Sequence, residues 1–266
     1  MTADDSLYAG SARYYAAGRM PYPSAIADVL RDELHLDGTG RLLDVGSGPG
    51  SLLLLLAPLF GSAVGVDADA DMLRDGQDAA ERDGISNVTW QHLRAEAVSA
   101  ELGTFRVVTF AQSFHWMDRP LVASRVRSLL EPGGAWVHVS ASTDRGVADD
   151  DAPPPPWADV DALVARYLGP VRRAGRGFLP HGTVGGEEDV MRDAGYAGPR
   201  RVSVVRGELV ERTADDVVAA TFSLSSSAPH LFGDRLDQFE ADLRDLLGDL
   251  VFTERARDVE LAIWTP

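Results

Sequence analysis

Residues Leu42-Leu43-Asp44-Val45-Gly46-Ser47-Gly48-Pro49-Gly50 run directly into Ser51-Leu52-Leu53-Leu54-Leu55-Leu56, so a buried-strand pattern passes through a glycine turn into a leucine-rich helix start. A strand joined this tightly to a helix belongs to folds in which the two element types alternate and the strands lie parallel. Glycines at alternate positions permit positive φ and present no Cβ to hold a ligand away, while the helix start offers free N–H groups. The turn is therefore a binding surface made of backbone.

Spacing narrows the ligand. The dinucleotide pattern GxGxxG would put its third glycine at position 51, which is Ser51, whereas this chain has GxGxG with Pro49 inside the turn. A Walker loop needs a lysine after its last glycine, and the chain contains no lysine. A second apolar run, Ala63-Val64-Gly65-Val66, ends at Asp67, which falls at the carboxyl edge of the neighbouring strand beside the glycine turn. An acid there can accept hydrogen bonds from two ribose hydroxyls, which points to a nucleoside ligand. NAD and S-adenosylmethionine both carry an adenosine ribose, so the acid alone does not choose between them.

Three segments together resemble the class I S-adenosylmethionine-dependent methyltransferases: LLDVGSGPG at 42 to 50, VGVDADADML at 64 to 73, and Ser113-Phe114-His115-Trp116-Met117-Asp118. The N-terminal stretch from Tyr14 to Pro23 is similar to the entry segment of a subgroup that includes trans-aconitate methyltransferase-like enzymes. The resemblance covers most of the chain and implies an α/β fold: a Rossmann-like, doubly wound, seven-stranded, mostly parallel sheet with helical cap insertions. In that family the last strand runs antiparallel between strands five and six.

The hydrophobic periodicity agrees with alternating elements. It predicts strands at 41–45, 63–66, 88–93, 105–110 and 134–139, and helices at 24–35, 50–59, 70–83 and 119–130, with Glu131-Pro132-Gly133-Gly134 as a stop before the fifth strand. Alternation lapses over 142–185, where Pro153 to Pro156 reads as a solvated spacer and 157–168 as an amphipathic helix. It resumes with a helix at 187–194 and a strand at 201–206. A second excursion, 210–253, holds helix patterns at 214–222 and 235–250, and 259–264 closes the chain as a strand. The expected organisation is one domain with a core of about 30–141, 186–209 and 254–266, and a lid or cap of about 1–29, 142–185 and 210–253.

Composition bounds the partners. A formal charge of −16 over 266 residues repels phosphate backbones and anionic lipid, which disfavours nucleic-acid or membrane partners. With no cysteine there is no disulfide, thiol nucleophile or cysteine-bound metal. No apolar run reaches the ~20 residues of a membrane span, and the acidic start Met-Thr-Ala-Asp-Asp lacks a basic leader; the expected location is cytoplasmic.

By the resemblance, Gly46, Ser47, Gly48 and Gly50 line the methionine part of the cofactor, Asp44 orients the loop or the cofactor's amino group, and Asp67 takes the ribose. Met72 would lie over an adenine face or fill the core. Ala95 and Glu96 would read the adenine edge, although Arg94 stands where the family places an aspartate. Arg19 offers a planar fork for the cofactor's carboxylate, and Tyr14, Tyr15 and Tyr22 would complete an N-terminal lid. His115, the histidine among the core motifs expected to face the site, is a base, a pocket wall or a structural residue, and Trp116 a wall beside it. Trp157, Phe178, His181, Phe222, Ser226 and His230 are substrate-pocket candidates, with His181 and His230 as alternative bases. No spacing suits a metal.

The sequence thus reads as an S-adenosylmethionine-dependent methyltransferase acting on O or N of a small organic molecule, with a specialised metabolite as the expected acceptor class. Carbon methylation and trans-aconitate-type carboxyl methylation are alternatives, and a protein or peptide acceptor stays open. A nicotinamide-dependent oxidoreductase and a noncatalytic cofactor-binding protein are more remote: the first lacks GxGxxG and a catalytic lysine, and the second would not need long aromatic-bearing excursions.

Overall fold

A computed structural model describes residues 11–149, 153–174, 177–178, 185–205 and 207–266. Its first elements are α1 (Ala12–Gly18), α2 (Ala25–Leu34), β1 (Arg41–Val45), α3 (Ser51–Leu56), β2 (Ser62–Asp67), α4 (Ala70–Arg82), β3 (Val88–His92), β4 (Phe105–Ala111), α5 (Arg119–Leu129) and β5 (Leu130–Ser140). There follow β6 (Val147–Ala148), α6 (Trp157–Leu168), β7 (Arg173–Ala174), β8 (Gly177–Phe178), α7 (Glu187–Asp193), β9 (Ala197–Val204), β10 (Leu209–Arg212), α8 (Ala214–Phe222), α9 (Leu236–Leu247), β11 (Phe252–Arg255) and β12 (Val259–Thr265). The chain divides into a sheet unit (Tyr22–Ala141, Gly185–Val205, Asp258–Pro266) and a small-sheet unit (Met1–Pro21, Ser142–Val184, Arg206–Arg257).

In the sheet unit seven strands lie in the order β3-β2-β1-β4-β5-β12-β9. Strands β1 to β5 are parallel, and β12 runs antiparallel between β5 and β9, so the doubly wound, mostly parallel sheet expected from the alternation is present. Central strands of such a sheet are covered on both faces and must be apolar throughout. Leu42, on one face of β1, packs with Ile26 and Leu30 of α2 and Leu52, Leu53 and Leu56 of α3. Leu43 and Val45, on the other, pack with Val122 and Val126 of α5. Each fully buried leucine of this kind contributes ~1.5–3 kcal/mol.

Several boundaries differ from the periodicity reading for identifiable reasons. The leucine helix ends at Leu56 and tightens into a 3-10 turn at Ala57–Leu59, because Pro58 supplies no amide hydrogen. Glu131-Pro132-Gly133-Gly134 does not stop the chain before the fifth strand. It forms an irregularity inside β5, whose pairing jumps from Phe105↔Leu130 to Val107↔Ala135 with Gly133 at φ 78°. The strand expected at 201–206 is the longer Ala197–Val204.

In the small-sheet unit the antiparallel strands β10, β11 and β6 form one sheet and β7 and β8 a two-stranded ladder. Its core joins Val160 of α6, Val217 and Phe222 of α8, and Phe239 and Leu243 of α9. Helix α1 lies so close to α8 that a Cβ on Gly18 would sit 2.5 Å from the Ala219 carbonyl carbon. The proline run is solvated only in part: Pro153 and Pro154 are exposed, but Pro155 is buried and the Pro153 carbonyl accepts the Thr253 amide at 3.1 Å. Two charged side chains are buried among the described residues of this unit. Arg212 donates to the carbonyls of Gly18 and Asp216, and one oxygen of Glu254 accepts from Gly146 N and Trp157 Nε1.

Candidate active site

The order of strands reverses between β1 and β4, and the crevice outside the carboxyl ends of strands at such a reversal is where open α/β sheets bind ligands. The glycine turn leaves β1 here. Gly46, Gly48 and Gly50 take φ of 72°, 53° and 80°, values in which a Cβ is strained. The amides of Gly46 and Ser47 both donate to the Val66 carbonyl, at 2.8 and 3.0 Å, which folds the turn across the end of β2. A Cβ on Gly46 would lie 2.5 Å from that of Ser113, whereas one on Gly48 would meet nothing within 4 Å. The turn is therefore closed toward β4 and open at Gly48.

Asp67 ends β2 at this opening. Its Oδ2 accepts the Gly48 amide at 2.8 Å and its Oδ1 the Asp69 amide at 2.9 Å. Burial pushes its pKa up against the pull of those two amides. Asp44 lies deeper, 1% exposed, with Oδ1 accepting from Thr109 Oγ1 at 2.7 Å. Burial raises its pKa to about 7, partly offset by the Thr109 bond and reinforced by the negative charge of Asp67. Two acids thus stand at one strand edge in unlike surroundings, one at an opening and one sealed.

The loop after β4 meets the glycine turn. Ser113 Oγ donates to the Val45 carbonyl at 2.6 Å. Gln112, just before it, has φ 53°, a conformation uncommon outside glycine. The next residues form a single 3-10 turn, Phe114–Trp116, with Phe114 buried and His115 and Trp116 partly exposed. The His115 and Trp116 rings lie 5.2 Å apart. Burial, and secondarily Arg119, lower the His115 pKa to about 4, so its ring is neutral at pH 7.

Of the remaining sheet-unit candidates, Met72 is buried on α4, whose N-cap Asp69 accepts from the Met72 and Asp71 amides. Ala95 is buried in a 3-10 turn after β3, and Glu96 beside it accepts the Asp118 amide at 2.8 Å, holding the start of α5. Tyr22 packs against the core on the α2 side.

In the small-sheet unit Tyr14 and Tyr15 belong to α1, with the Tyr14 ring 5.0 Å from that of Phe222. The Arg19 guanidinium covers the Tyr15 ring, donates to the Ser223 carbonyl at 2.9 Å and reaches Thr143 Oγ1 at 3.4 Å, while its Nε is buried without a partner among the described residues. Trp157 donates to Glu254 and carries the Arg145 guanidinium over its ring. Phe222 is fully buried in this unit's core, Ser226 is partly exposed and His230 exposed. Phe178 belongs to β8, its side chain outside the description, and His181 lies outside the described residues.

Thr109 and His138 near the site, and the contact made by Ser113 of the third motif, escaped the sequence reading. Ser113 and Thr109 tie neighbouring strand ends together through β1–β4 pairing, which no local pattern reports. His138 lies opposite Phe110 on β5, its ring 5.0 Å from Phe114 and 5.2 Å from Trp136. His115 is thus not alone among core histidines at this edge. The Nε2 of His138 is buried without a hydrogen-bond partner among the described residues, and burial lowers its pKa to about 3. Alternation with Trp136 along β5 was the available clue.

Comparison with known proteins bears on the family and the fold. Residues 42–134 match the methyltransferase domain family. An uncharacterized methyltransferase of Mycobacterium tuberculosis is 35% identical over 119 residues, 44% of this chain and 58% of the relative. The ubiquinone biosynthesis O-methyltransferase of Albidiferax ferrireducens is 34% identical over 102 residues, 38% of this chain and 40% of the relative. The chain spans about half the length of the curated relatives it matches. A methyltransferase-named structure from Bacillus halodurans superposes with a TM-score of 0.51 at 16% identity over 90% of this chain and 97% of the other, a likeness of fold.

Proposed function

We propose that this chain, which belongs to the class I S-adenosylmethionine-dependent methyltransferases, transfers a methyl group to an O or N atom of a small organic molecule. The family's cofactor is S-adenosyl-L-methionine. The observation that carries the reading is the meeting of Asp67 with the open face of the glycine turn at Gly48. A carboxylate has about four lone-pair positions; the Gly48 and Asp69 amides occupy one on each Asp67 oxygen and the Ala68 amide also draws on the group, which leaves room for a hydroxyl donor from a ribose. The donor set and the open glycine fit an adenosine cofactor.

The bound cofactor supplies a methyl group on a positively charged sulfur, open to in-line displacement. Asp67 would hold the ribose, and the turn from Gly46 to Gly50 the methionine part. Asp44, once ionised, would favour the cofactor's ammonium group. His115 is neutral at pH 7, and in the proposed reaction its ring accepts the proton released from the acceptor hydroxyl or amine as the new bond to carbon forms and the bond to sulfur breaks. Trp116 would form a wall beside it.

The net charge of −16 favours a neutral or cationic acceptor over a nucleic acid. No helix among the described residues is long and apolar enough to cross a membrane, and we take a cytoplasmic location as the working assignment. Calorimetric titration with S-adenosylhomocysteine, S-adenosylmethionine and NAD tests the reading. Micromolar binding of the first two without NAD is expected; binding of NAD alone, or of none, contradicts it.

A further inference from the structure

Three glycines from different elements converge on one indole. Trp90 of β3 pairs with Gly65 of β2, and a Cβ built on Gly65 would lie 2.9 Å from its Cε3. On Gly50, the last glycine of the turn, a Cβ would lie 2.5 Å from Trp90 Cη2; on Gly76, inside α4, it would lie 2.5 Å from the same atom. The Gly76 position is also 3.1 Å from the Pro49 carbonyl, and the Gly65 position 3.1 Å from Ser47 Oγ. The indole is therefore wedged between α4, the end of β2 and the underside of the glycine turn.

Gly76 makes the case sharpest. Glycine inside a helix is unfavourable relative to alanine, and Gly76 has no positive φ to require it. What it provides is room for the ring. The wedge also bears on both halves of the nucleoside site: Gly50 closes the turn, and Gly65 stands two residues before Asp67 on the same strand.

We propose that Trp90 is a positioning residue for the cofactor: its indole, seated against Gly50, Gly65 and Gly76, fixes the glycine turn relative to Asp67. The proposal rests on the cofactor reading given above. Trp90 acts through the turn and needs no contact with the ligand itself.

The test is a double-mutant cycle in the full chain, reading S-adenosylhomocysteine affinity by calorimetry and melting temperature together. Gly76→Ala is expected to weaken affinity at least tenfold and lower the melting temperature, and Trp90→Ala to weaken affinity at least tenfold. In the double variant the indole clash is gone and only the 3.1 Å approach to the Pro49 carbonyl remains, so affinity should lie within threefold of Trp90→Ala and the added drop in melting temperature should be much smaller than Gly76→Ala causes alone. If Gly76→Ala alone yields no folded protein, a folded double variant bears out the wedge and an equally unfolded one overturns it. Additive losses overturn it. A lower melting temperature in Trp90→Ala with unchanged affinity also overturns it, since that is what a purely structural tryptophan gives. Wild-type protein that binds no S-adenosylhomocysteine refutes the cofactor reading itself, and the positioning role with it, a result separable from any failure confined to the variants.

Discussion

Asp44→Asn is predicted to make the protein more stable at pH 8 and at the same time to weaken and flatten its cofactor binding. The folded pKa of about 7 stands above the ordinary carboxylate value of 3.8, so between those values the native state holds a proton that the unfolded chain has released. Stability from this group is complete below the unfolded pKa and is lost as pH rises through the folded one. At 1.36 kcal/mol per unit, the loss at pH 8 is at most ~4 kcal/mol. Asparagine keeps an oxygen for Thr109 and cannot ionise, so the variant should gain on wild type between pH 4 and 8 and match it most closely near pH 4. Binding moves the other way. A ligand bearing an ammonium group near Asp44 favours the ionised acid, whose population rises about tenfold from pH 6 to pH 8 for a pKa of 7. Wild-type affinity for S-adenosylhomocysteine should therefore climb up to tenfold over that interval, with net proton release visible as a dependence of calorimetric enthalpy on buffer ionisation. The variant should show neither. Equal pH slopes in both proteins, for stability and for affinity, would refute the argument.

Three further outcomes are expected. Asp67→Asn should lose ~2–3 kcal/mol of S-adenosylhomocysteine binding, about 30- to 150-fold, as charge-assisted hydrogen bonds are weakened; undiminished calorimetric affinity would remove Asp67 from the ribose. With His115 as base, the acid limb of kcat/KM should fall near pH 4, activity being lost below it as the ring protonates, and His115→Ala should abolish that limb; a limb near 6.5 in wild type, or unchanged turnover in the variant, removes His115 from the role. His138→Phe deletes a buried nitrogen without a partner among the described residues and should raise stability by ~1–3 kcal/mol in denaturant titration, whereas a loss would mean that Nε2 has a partner worth keeping.

What could be read from the sequence was whatever is encoded locally. The apolar runs of β1, β2 and β4 and the glycine turn depend on residues adjacent in the chain, and they led to the correct sheet. The meeting of Asp67 with Gly48 was within reach because both lie at the ends of neighbouring strands. Contacts set by register were out of reach: Thr109 against Asp44, Ser113 against Val45, and His138 opposite Phe110 follow from which residue of one strand faces which of another. The small sheet of β10, β11 and β6 was missed because its strands are two to four residues long, too short for alternation to show. The proline run was legible in part: Pro153 and Pro154 are exposed as its composition suggests, while the burial of Pro155 depends on contacts distant in the chain.

The hydrogen bond from Ser113 to the Val45 carbonyl has a mechanical meaning. Without it, the segment carrying His115 and Trp116 would be held by the packing of Phe114 and Met117 alone, with no hydrogen bond from its first residue to β1. With it, the segment is clamped to the central strand from which the glycine turn departs. Displacement at carbon tolerates little error in the line joining the incoming atom to the leaving one. On the proposed reading both ends of that line would be referred to β1, so that motions of the sheet would carry them together.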